Sequence, residues 1–442
     1  MEPKVTVVMP SFNVAPYIAN CLDSVLNQTL KEIEVIVVDA YSTDGTREII
    51  QSYVEKDDRV TLVDDIKRST GYSKNIAIDM AKAPYYAIVE SDDYVELDML
   101  EKMYKVAVET EVDFVKANFS SFIGCGENRY DFPKTVSLEP SDYCRVLNPQ
   151  KDVNCYKWIM YEWLGLYRVD FLRKHNIRHN ETPGAAFQDT GFWFLTLAYA
   201  KNIYLMKESF YHYRSDNPNA SVKDTKKTLA IAKEYEYIKK CIEEGNLDWN
   251  QLKSQFCRGV YYDNYMVLKR IDYELLPTVV AKMHEMLTGI FDESIDKRYF
   301  YEKEWERVNT LLRSEAEYLK EEQTINDDIE EREAELMKAV KGRESIVIYG
   351  AGSYGANVQY FLNKRGYDIK AFIDSNEKKH GLLLNGKEIW SFSKAIDELE
   401  APLFIVANRE YSKEIYDFII NNGVDKKDIY ICDIEKCVRL LI

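Results

Sequence analysis

Along the first quarter of the chain, short apolar runs alternate with helical stripes. The runs at 4–9, 34–38, 60–63 and 86–89 are nearly continuous and rich in valine and isoleucine. That pattern predicts strands buried on both faces, as in a parallel sheet. Between the first two runs, Ile18, Leu22, Val25 and Leu26 share one face of a helix that Pro16 opens. Further helices are predicted at 46–54, 73–81 and 97–108. Strand and helix in strict alternation predict βαβ units and an α/β fold.

The pattern loosens from 113 to 225, with shorter strands predicted at 114–117, 203–206 and 210–213 and an apolar helix near 191–200. Residues 226–340 are helix-rich and low in glycine and proline. Leu311, Leu312, Ala316, Leu319, Ile329 and Leu336 form a stripe too broken for a long coiled coil, which predicts a helical bundle or spacer. Near 345 the α/β pattern returns. A strand enters Gly350-Ala-Gly-Ser-Tyr-Gly355, a helix follows at 356–364, and a strand at 369–373 ends at Asp374. A strand at 404–407, a helix at 413–421 and a strand at 429–431 complete it. The expected division is 1–225, 226–341 and 342–442.

Composition narrows the partners. The 442 residues carry a net charge of −16, and 300–340 alone hold 13 acidic and 6 basic side chains. That balance argues against nucleic acid as a partner and against purely electrostatic docking on anionic membranes. The 33 tyrosines suit carbohydrate or nucleotide surfaces. Eight scattered cysteines (21, 125, 144, 155, 241, 257, 432 and 437) include no Cys-x-x-Cys pair, which predicts reduced thiols of a cytoplasmic protein. The first residues run straight into a strand without a secretory pattern, and no apolar run has bilayer-spanning length, the 438–442 tail being far too short. Any membrane contact is expected to be peripheral, at the inner face. The broken helical stripe leaves a homo-oligomer open.

The candidate chemistry collects where the predicted strands end. Pro10-Ser11-Phe-Asn13 follows the first strand, Asp39 ends the second, Gly71-Tyr-Ser-Lys74-Asn precedes the fourth, and Glu90-Ser91-Asp92-Asp93 follows it. In an open α/β sheet this is the ligand-binding edge. Three carboxylates within four residues repel one another unless a cation shares them, which suggests a divalent metal holding a nucleotide diphosphate. The alternative is that Asp92 or Asp93 caps the next helix. Asp39 is either a contact to uracil or ribose or the start of an Asx turn. Lys74 is either a diphosphate partner or a solvated helix lysine.

Val-Val-Met-Pro-Ser-Phe-Asn, Val-Ile-Val-Val-Asp-Ala-Tyr-Ser-Thr-Asp-Gly-Thr, Gly-Tyr-Ser-Lys-Asn and Val-Glu-Ser-Asp-Asp, in this order, resemble the family 2 glycosyltransferases of the GT-A fold over roughly 4–220. The resemblance implies inverting transfer from a nucleotide-sugar, most often a UDP-sugar, with Mn2+ or Mg2+. The acceptor it implies is a saccharide or lipid-linked saccharide of bacterial surface polysaccharide or glycoconjugate synthesis. It makes Asp92 the metal ligand. Pro10, Ser11, Asn13, Asp39, Lys74, Glu90, Ser91 and Arg214 become donor contacts, the last in Tyr211-His-Tyr-Arg214 with Asn217 and Ser221 beyond. Glu90 stands where the family usually has aspartate. Asp189 matches the base that takes the acceptor's proton, in a segment where the family usually has Glu-Asp and this chain has Gln188-Asp189. Asp189 also stands where it can cap the helix after it. Trp163 and Gln188 match the sugar or acceptor pocket, although a tryptophan can equally fill the core. His212 is a possible metal ligand or a structural histidine.

Gly350, Gly352, Gly355 and Asp374 stand in the strand–turn–helix context of a dinucleotide fingerprint, in a domain too short for both halves of that fold. This last domain resembles the small Rossmann-like domains of some sugar acetyltransferases and sugar methyltransferases, which implies a nucleotide-sugar or sugar pocket. A glycine turn kept for packing is the alternative. For the whole chain, the alternatives to an enzyme of the EC 2.4 class are a non-catalytic sugar-nucleotide-binding or assembly subunit of a glycan-synthesis complex and, from the last domain, an oxidoreductase.

Overall fold

The computed structural model describes residues 2–126, 129–217, 229–269, 271, 273–408 and 411–432. Ser221, Cys437 and the apolar 438–442 lie outside them. The chain divides into two compact units, the first comprising Met1–Phe119, Thr135–Tyr213 and Asn217–Leu319, the second Ser120–Lys134, Arg214–Asp216 and Lys320–Ile442.

The first unit begins with β1 (Val5–Ser11), α1 (Ile18–Leu26), β2 (Ile33–Asp39), α2 (Thr46–Val54), β3 (Val60–Asp64), α3 (Thr70–Met80) and β4 (Tyr85–Ile88). β1, β2 and β3 pair in parallel, and the register sets Ser11 beside Asp39 and Asp39 beside Asp64. β1 runs two residues further than expected, so Pro10 and Ser11 belong to the strand. Val8 faces β4, and its carbonyl accepts the Val89 N–H at 3.0 Å. Pro10 faces the same side, but the β4 ladder has ended at Val8–Ile88. Its missing N–H therefore costs the sheet nothing.

Next come β5 (Tyr94–Val95), α4 (Met99–Thr110), β6 (Phe114–Ile123), β7 (Tyr130–Lys134), β8 (Val146–Leu147), β9 (Gly165–Arg168), α5 (Val169–Lys174), α6 (Gln188–Tyr199) and β10 (Ile203–Arg214). The sheet order is β3-β2-β1-β4-β9-β6-β10-β5. β9 runs antiparallel to both β4 and β6, so the sheet is mixed. The two strands predicted at 203–206 and 210–213 are one strand. The polar Lys207-Glu-Ser between them is its solvent-exposed stretch.

The helices α7 (Ala230–Glu244), α8 (Trp249–Leu268), α9 (Leu276–Leu287), α10 (Glu302–Arg313) and α11 (Glu315–Val340) follow. They are not a spacer. Ile231, Tyr235, Phe256, Val279, Met283 and Leu311 are buried in the same cluster as the strands. Tyr235 meets Phe256 edge to face at 5.1 Å, and Phe256 in turn meets Phe194 of α6 at 6.3 Å. Each fully buried side chain of this size contributes about 1.5–3 kcal/mol.

The second unit holds β11 (Ile346–Tyr349), α12 (Ser353–Asn363), β12 (Ala371–Ile373), β13 (Leu383–Leu384), β14 (Lys387–Trp390), α13 (Phe392–Glu398), β15 (Leu403–Val406), α14 (Ser412–Asn421) and β16 (Ile429–Ile431). Its sheet order is β13-β14-β12-β11-β15-β16, with β14 through β16 parallel. The crossover point lies between β11 and β15, as in half of a doubly wound fold. The β13–β14 hairpin, which the apolar pattern does not predict, turns on Asn385 and Gly386, both left-handed at φ 49° and 74°. Residues from the first third of the chain also contribute. Tyr130 and Phe132 of β7 meet Tyr360 of α12 edge to face, and Asn363 donates to the Tyr130 hydroxyl at 2.8 Å.

Among the described residues no helix is long and apolar enough to cross a membrane.

Candidate active site

The parallel register sets Ser11 beside Asp39 at the ends of β1 and β2, one edge of the first unit. Asp39 is buried. Its carboxylate accepts from the Ser42 N–H (3.0 Å) and hydroxyl (2.6 Å) and pairs with Arg47 at 3.2 Å, which also reaches Asp64 at 2.6 Å. Asn13, left-handed at φ 51°, accepts the Thr43 N–H on Oδ1 at 2.9 Å, while its own N–H donates to Ser42 Oγ at 2.9 Å. The loops after β1 and β2 are thereby tied together. Ser11 Oγ is buried and has no hydrogen-bond partner among the described residues. Asp65 escaped the sequence analysis. It is buried and accepts from the Ser69 N–H (2.8 Å), the Ser73 hydroxyl (2.8 Å) and the Lys67 N–H (2.9 Å), shaping the loop into α3.

The acidic loop after β4 is not a helix cap. β5 intervenes, pairing with β10, and α4 starts only at Met99 with Asp98 at its N-cap position. Asp93 is buried and accepts the Tyr211 hydroxyl at 2.8 Å, and that hydroxyl accepts the Glu90 N–H at 2.9 Å. Ser91 is buried beside it. Glu90 turns to Lys74 at 2.8 Å. Asp92 is half-buried and accepts from Asn217 Nδ2 at 2.7 Å. Among the described residues no set of three or more His, Cys, Asp or Glu side chains is gathered for a metal. His212 stacks on Tyr94 at 4.4 Å and pairs with Glu96 at 2.7 Å.

Lys74 is no solvated lysine. It is 3% exposed, and its ammonium sits between Glu90 and Glu162. Burial pulls its proton affinity down, and the two carboxylates more than reverse this. Glu162, in the turn before β9, also contacts His179 Nε2. Burial alone would raise the Glu162 carboxyl; His179 and Lys74 outweigh it and hold it at about 2. Burial pushes His179 below its usual range, against the opposing pull of Glu162, whose carboxylate its Nε2 contacts. Neither Glu162 nor His179 lies in a motif that sequence spacing could single out.

Asp189 lies in the first turn of α6, but the N-cap position belongs to Phe187, left-handed at φ 62°. The capping alternative is therefore replaced. Burial raises the Asp189 carboxyl to about 6, with the nearby charges of Glu162 and Glu90 adding to it and Lys74 opposing. The loop carrying it is fixed at both ends. Gly184 donates to Arg68 O at 2.7 Å and accepts the Thr70 N–H at 3.0 Å, beside the β3–α3 loop. Gln188 is buried, its Oε1 accepting the Ala186 N–H at 2.6 Å and its Nε2 donating to Thr182 and Gly184 carbonyls at 3.2 and 3.1 Å. Its amide holds this loop together.

Trp163 fills the core. It is 6% exposed and stacks on Tyr211 (4.2 Å), Tyr161 (4.9 Å) and Tyr213 (5.4 Å), with Phe119 edge-on at 5.2 Å. Lys116 is buried beneath this region, donating to the Tyr161 carbonyl at 2.8 Å and lying 3.4 Å over the Trp193 ring. Arg214 belongs to the second unit, where it pairs with Asp216 at 3.2 Å and lies over Phe122.

In the second unit, Gly350 is left-handed at φ 126°, and a Cβ there would stand 2.4 Å from the Ala407 carbonyl oxygen. A Cβ on Gly355 would stand 2.0 Å from the Gly350 carbonyl oxygen, so packing alone requires both glycines. Nothing lies within 4 Å of such a Cβ at Gly352. Asp374 accepts the Ala351 N–H at 3.2 Å and pairs with Lys379 at 2.7 Å.

The strand-edge geometry agrees with comparisons to known proteins. Residues 6–180 match glycosyl transferase family 2. Residues 342–430 match the model described as C2185-like, N-terminal. Among curated proteins, the chain is 29% identical over 227 residues to the uncharacterized glycosyltransferase EpsJ of Bacillus subtilis, covering 50% of this chain and 63% of EpsJ. It is 25% identical to the uncharacterized glycosyltransferase YibD of Escherichia coli, covering 67% of this chain and 86% of YibD. It is 29% identical to the poly(ribitol-phosphate) beta-glucosyltransferase of Bacillus spizizenii, over 50% of this chain and 34% of that enzyme. The chain thus spans less than two thirds of EpsJ and of the glucosyltransferase. Among solved structures, S. aureus TarS 1-349 aligns with a TM-score of 0.54 at 18% identity, covering 72% of this chain and 89% of that one. Its complex with UDP-GlcNAc aligns at 0.50 and 17% identity. That likeness establishes the GT-A type of fold for the mixed sheet.

Proposed function

We propose that the chain is an inverting glycosyltransferase that moves a sugar from a UDP-sugar to a saccharide acceptor of bacterial surface-polysaccharide synthesis. The observation that carries this reading is Asp189. It is a half-buried carboxyl held at about 6, close enough to Glu162, Lys74 and Glu90 of the acidic loop for their charges to act on it. Such a group is ionised at neutral pH yet basic enough to accept a proton, as a general base must be. Attack by an acceptor hydroxyl on the anomeric carbon, with its proton passing to Asp189, breaks the bond to the diphosphate and inverts the centre.

Ser11, Asn13 and the loop organised by Asp39 hold the nucleoside. The residues fit a divalent cation in one respect: Asp92, half-buried and bonded by the Asn217 amide, offers the hard carboxylate oxygen such a cation takes, while Glu90 pairs with Lys74 and Asp93 accepts from Tyr211. Mn2+ or Mg2+ on Asp92 would supply positive charge to the departing diphosphate. Lys74 serves by fixing Glu90 and Glu162 rather than by touching phosphate. The family-2 match, the glycosyltransferase relatives and the fold shared with a UDP-GlcNAc-binding protein support the reading. The glycine turn of the second unit is proposed to hold a nucleotide-sugar or sugar.

The alternative, a binding or assembly subunit without turnover, draws on the engagement of Lys74 with carboxylates. A screen of UDP-, GDP-, dTDP- and CDP-sugars, with and without Mn2+, separates the two. Metal-dependent release of UDP from one donor is the expected result; binding of a donor with no release in any arm sinks the enzyme reading.

A further inference from the structure

Helix α7 lies outside the stretch that matches the glycosyltransferase family, yet it grips the segment carrying Asp189 on both sides. Before Asp189, the Tyr237 hydroxyl donates to the Arg178 carbonyl at 3.0 Å, and Asn180 Nδ2 donates to Glu234 Oε1 at 3.0 Å. The same stretch presses on α3 from the other side: a Cβ on Gly71 would stand 1.9 Å from the Asn180 carbonyl oxygen. After Asp189, Gly191 admits α7 at close range. A Cβ there would stand 3.1 Å from the Tyr237 ring and 3.2 Å from Glu234 Oε2. Glu234 is 1% exposed, and among the described residues its Oε2 has no hydrogen-bond partner. A carboxyl in that setting is destabilised as an anion.

We propose that Glu234 is a positioning residue for Asp189: its buried carboxyl, held by Asn180, closes the first turn of α6 against water and so keeps the base desolvated. This rests on the assignment of Asp189 as base. The surrounding groups agree. Burial raises Glu234 to about 8, with Asp189 and Glu162 adding to the effect and Asn180 opposing, so it is protonated at neutral pH. The titratable groups facing Asp189 are Glu162, Glu90, Lys74 and Lys116, the last pushed well below its usual range by burial. Two coupled carboxyls whose affinities are pushed apart give one base and one neutral acid.

The test reads Asp189 directly. In the full chain labelled with [γ-13C]aspartate, the resonance lost in D189N should titrate with a midpoint near 6 in the wild type. E234A, which opens the turn to water, should lower that midpoint by a unit or more. E234Q, neutral and of equal size, should restore it to within a few tenths. If E234A does not fold, E234S, which shortens the side chain but keeps a polar group, provides the second route and should lower the midpoint in the same direction. An unchanged midpoint in whichever of E234A and E234S folds overturns the proposal, as does an E234Q midpoint as low as that of E234A. This readout needs no substrate, so a wild type that turns over no donor refutes the transferase reading and leaves the positioning claim to be decided by the titration. Where turnover is found, E234A should lower kcat at least tenfold with donor KM unchanged; a wild-type kcat overturns the proposal.

Discussion

Glu162 and Asp189 are two carboxyls in one electrostatic neighbourhood, yet the first is held at about 2 and the second is raised to about 6. Burial acts on both in the same direction. What differs is the company. Glu162 is bonded by Lys74 and His179, whereas Asp189 meets the negative charges of Glu162 and Glu90, and Lys74 only partly offsets them. Partners, more than depth, divide the two roles: a fixed anion that organises α3 and the 175–180 segment, and a carboxyl that exchanges a proton near neutral pH.

The strongest way to break this contrast is to remove the fixed anion. E162Q leaves Lys74 buried with Glu90 as its one remaining carboxylate and should cost about 3 kcal/mol of stability, as for a buried pair that loses a partner, read by urea denaturation at pH 7. A loss below 1 kcal/mol would show that the network is not a structural anchor. The sign with pH follows from the direction of each shift. Glu162 is depressed in the fold, so its contribution is full above its ordinary value near 4.5 and fades as pH falls toward 2. Asp189 is raised above its ordinary 3.8, so it weakens the fold as pH climbs through about 6. D189N should therefore be more stable than the wild type by about 3 kcal/mol at pH 8, with the difference vanishing near pH 3. Equal stability at pH 8 would mean that the carboxyl is not desolvated. The smallest expected effect is that of N217A, which removes one donor from Asp92 and should weaken nucleotide-sugar binding several-fold, about 1 kcal/mol by calorimetry, with stability unchanged.

Much of the parallel half of the fold was legible because each strand is a short valine- and isoleucine-rich run ending in a polar loop, and the register then brings Ser11, Asp39 and Asp64 together without further information. The Asn385-Gly386 hairpin also carried its signal in two residues, although the apolar pattern on either side was too short to show it. Glu162, His179, Asp65 and Glu234 were not legible. Each acts through partners distant in the chain, such as Lys74 to Glu162, and a lone glutamate or histidine has no periodicity to betray it. The helix-cap alternatives for Asp93 and Asp189 illustrate the converse. Spacing made both look like caps, and tertiary pairing decided otherwise: β5 displaced the helix start to Met99, and Phe187 took the N-cap position of α6. The contribution of β7 to the second unit is of the same kind, an aromatic contact between Tyr130 and Tyr360 that no local pattern encodes.

The most direct test of the central claim is nucleotide release from the donor that the wild type turns over, compared with D189N under identical conditions. The account predicts that D189N binds this donor with unchanged Kd while its kcat falls by about 10^2- to 10^4-fold, the usual worth of a general base. It also predicts that the wild-type kcat/KM declines as pH drops through about 6. A D189N variant that releases nucleotide at the wild-type rate, with the same pH profile, would contradict it.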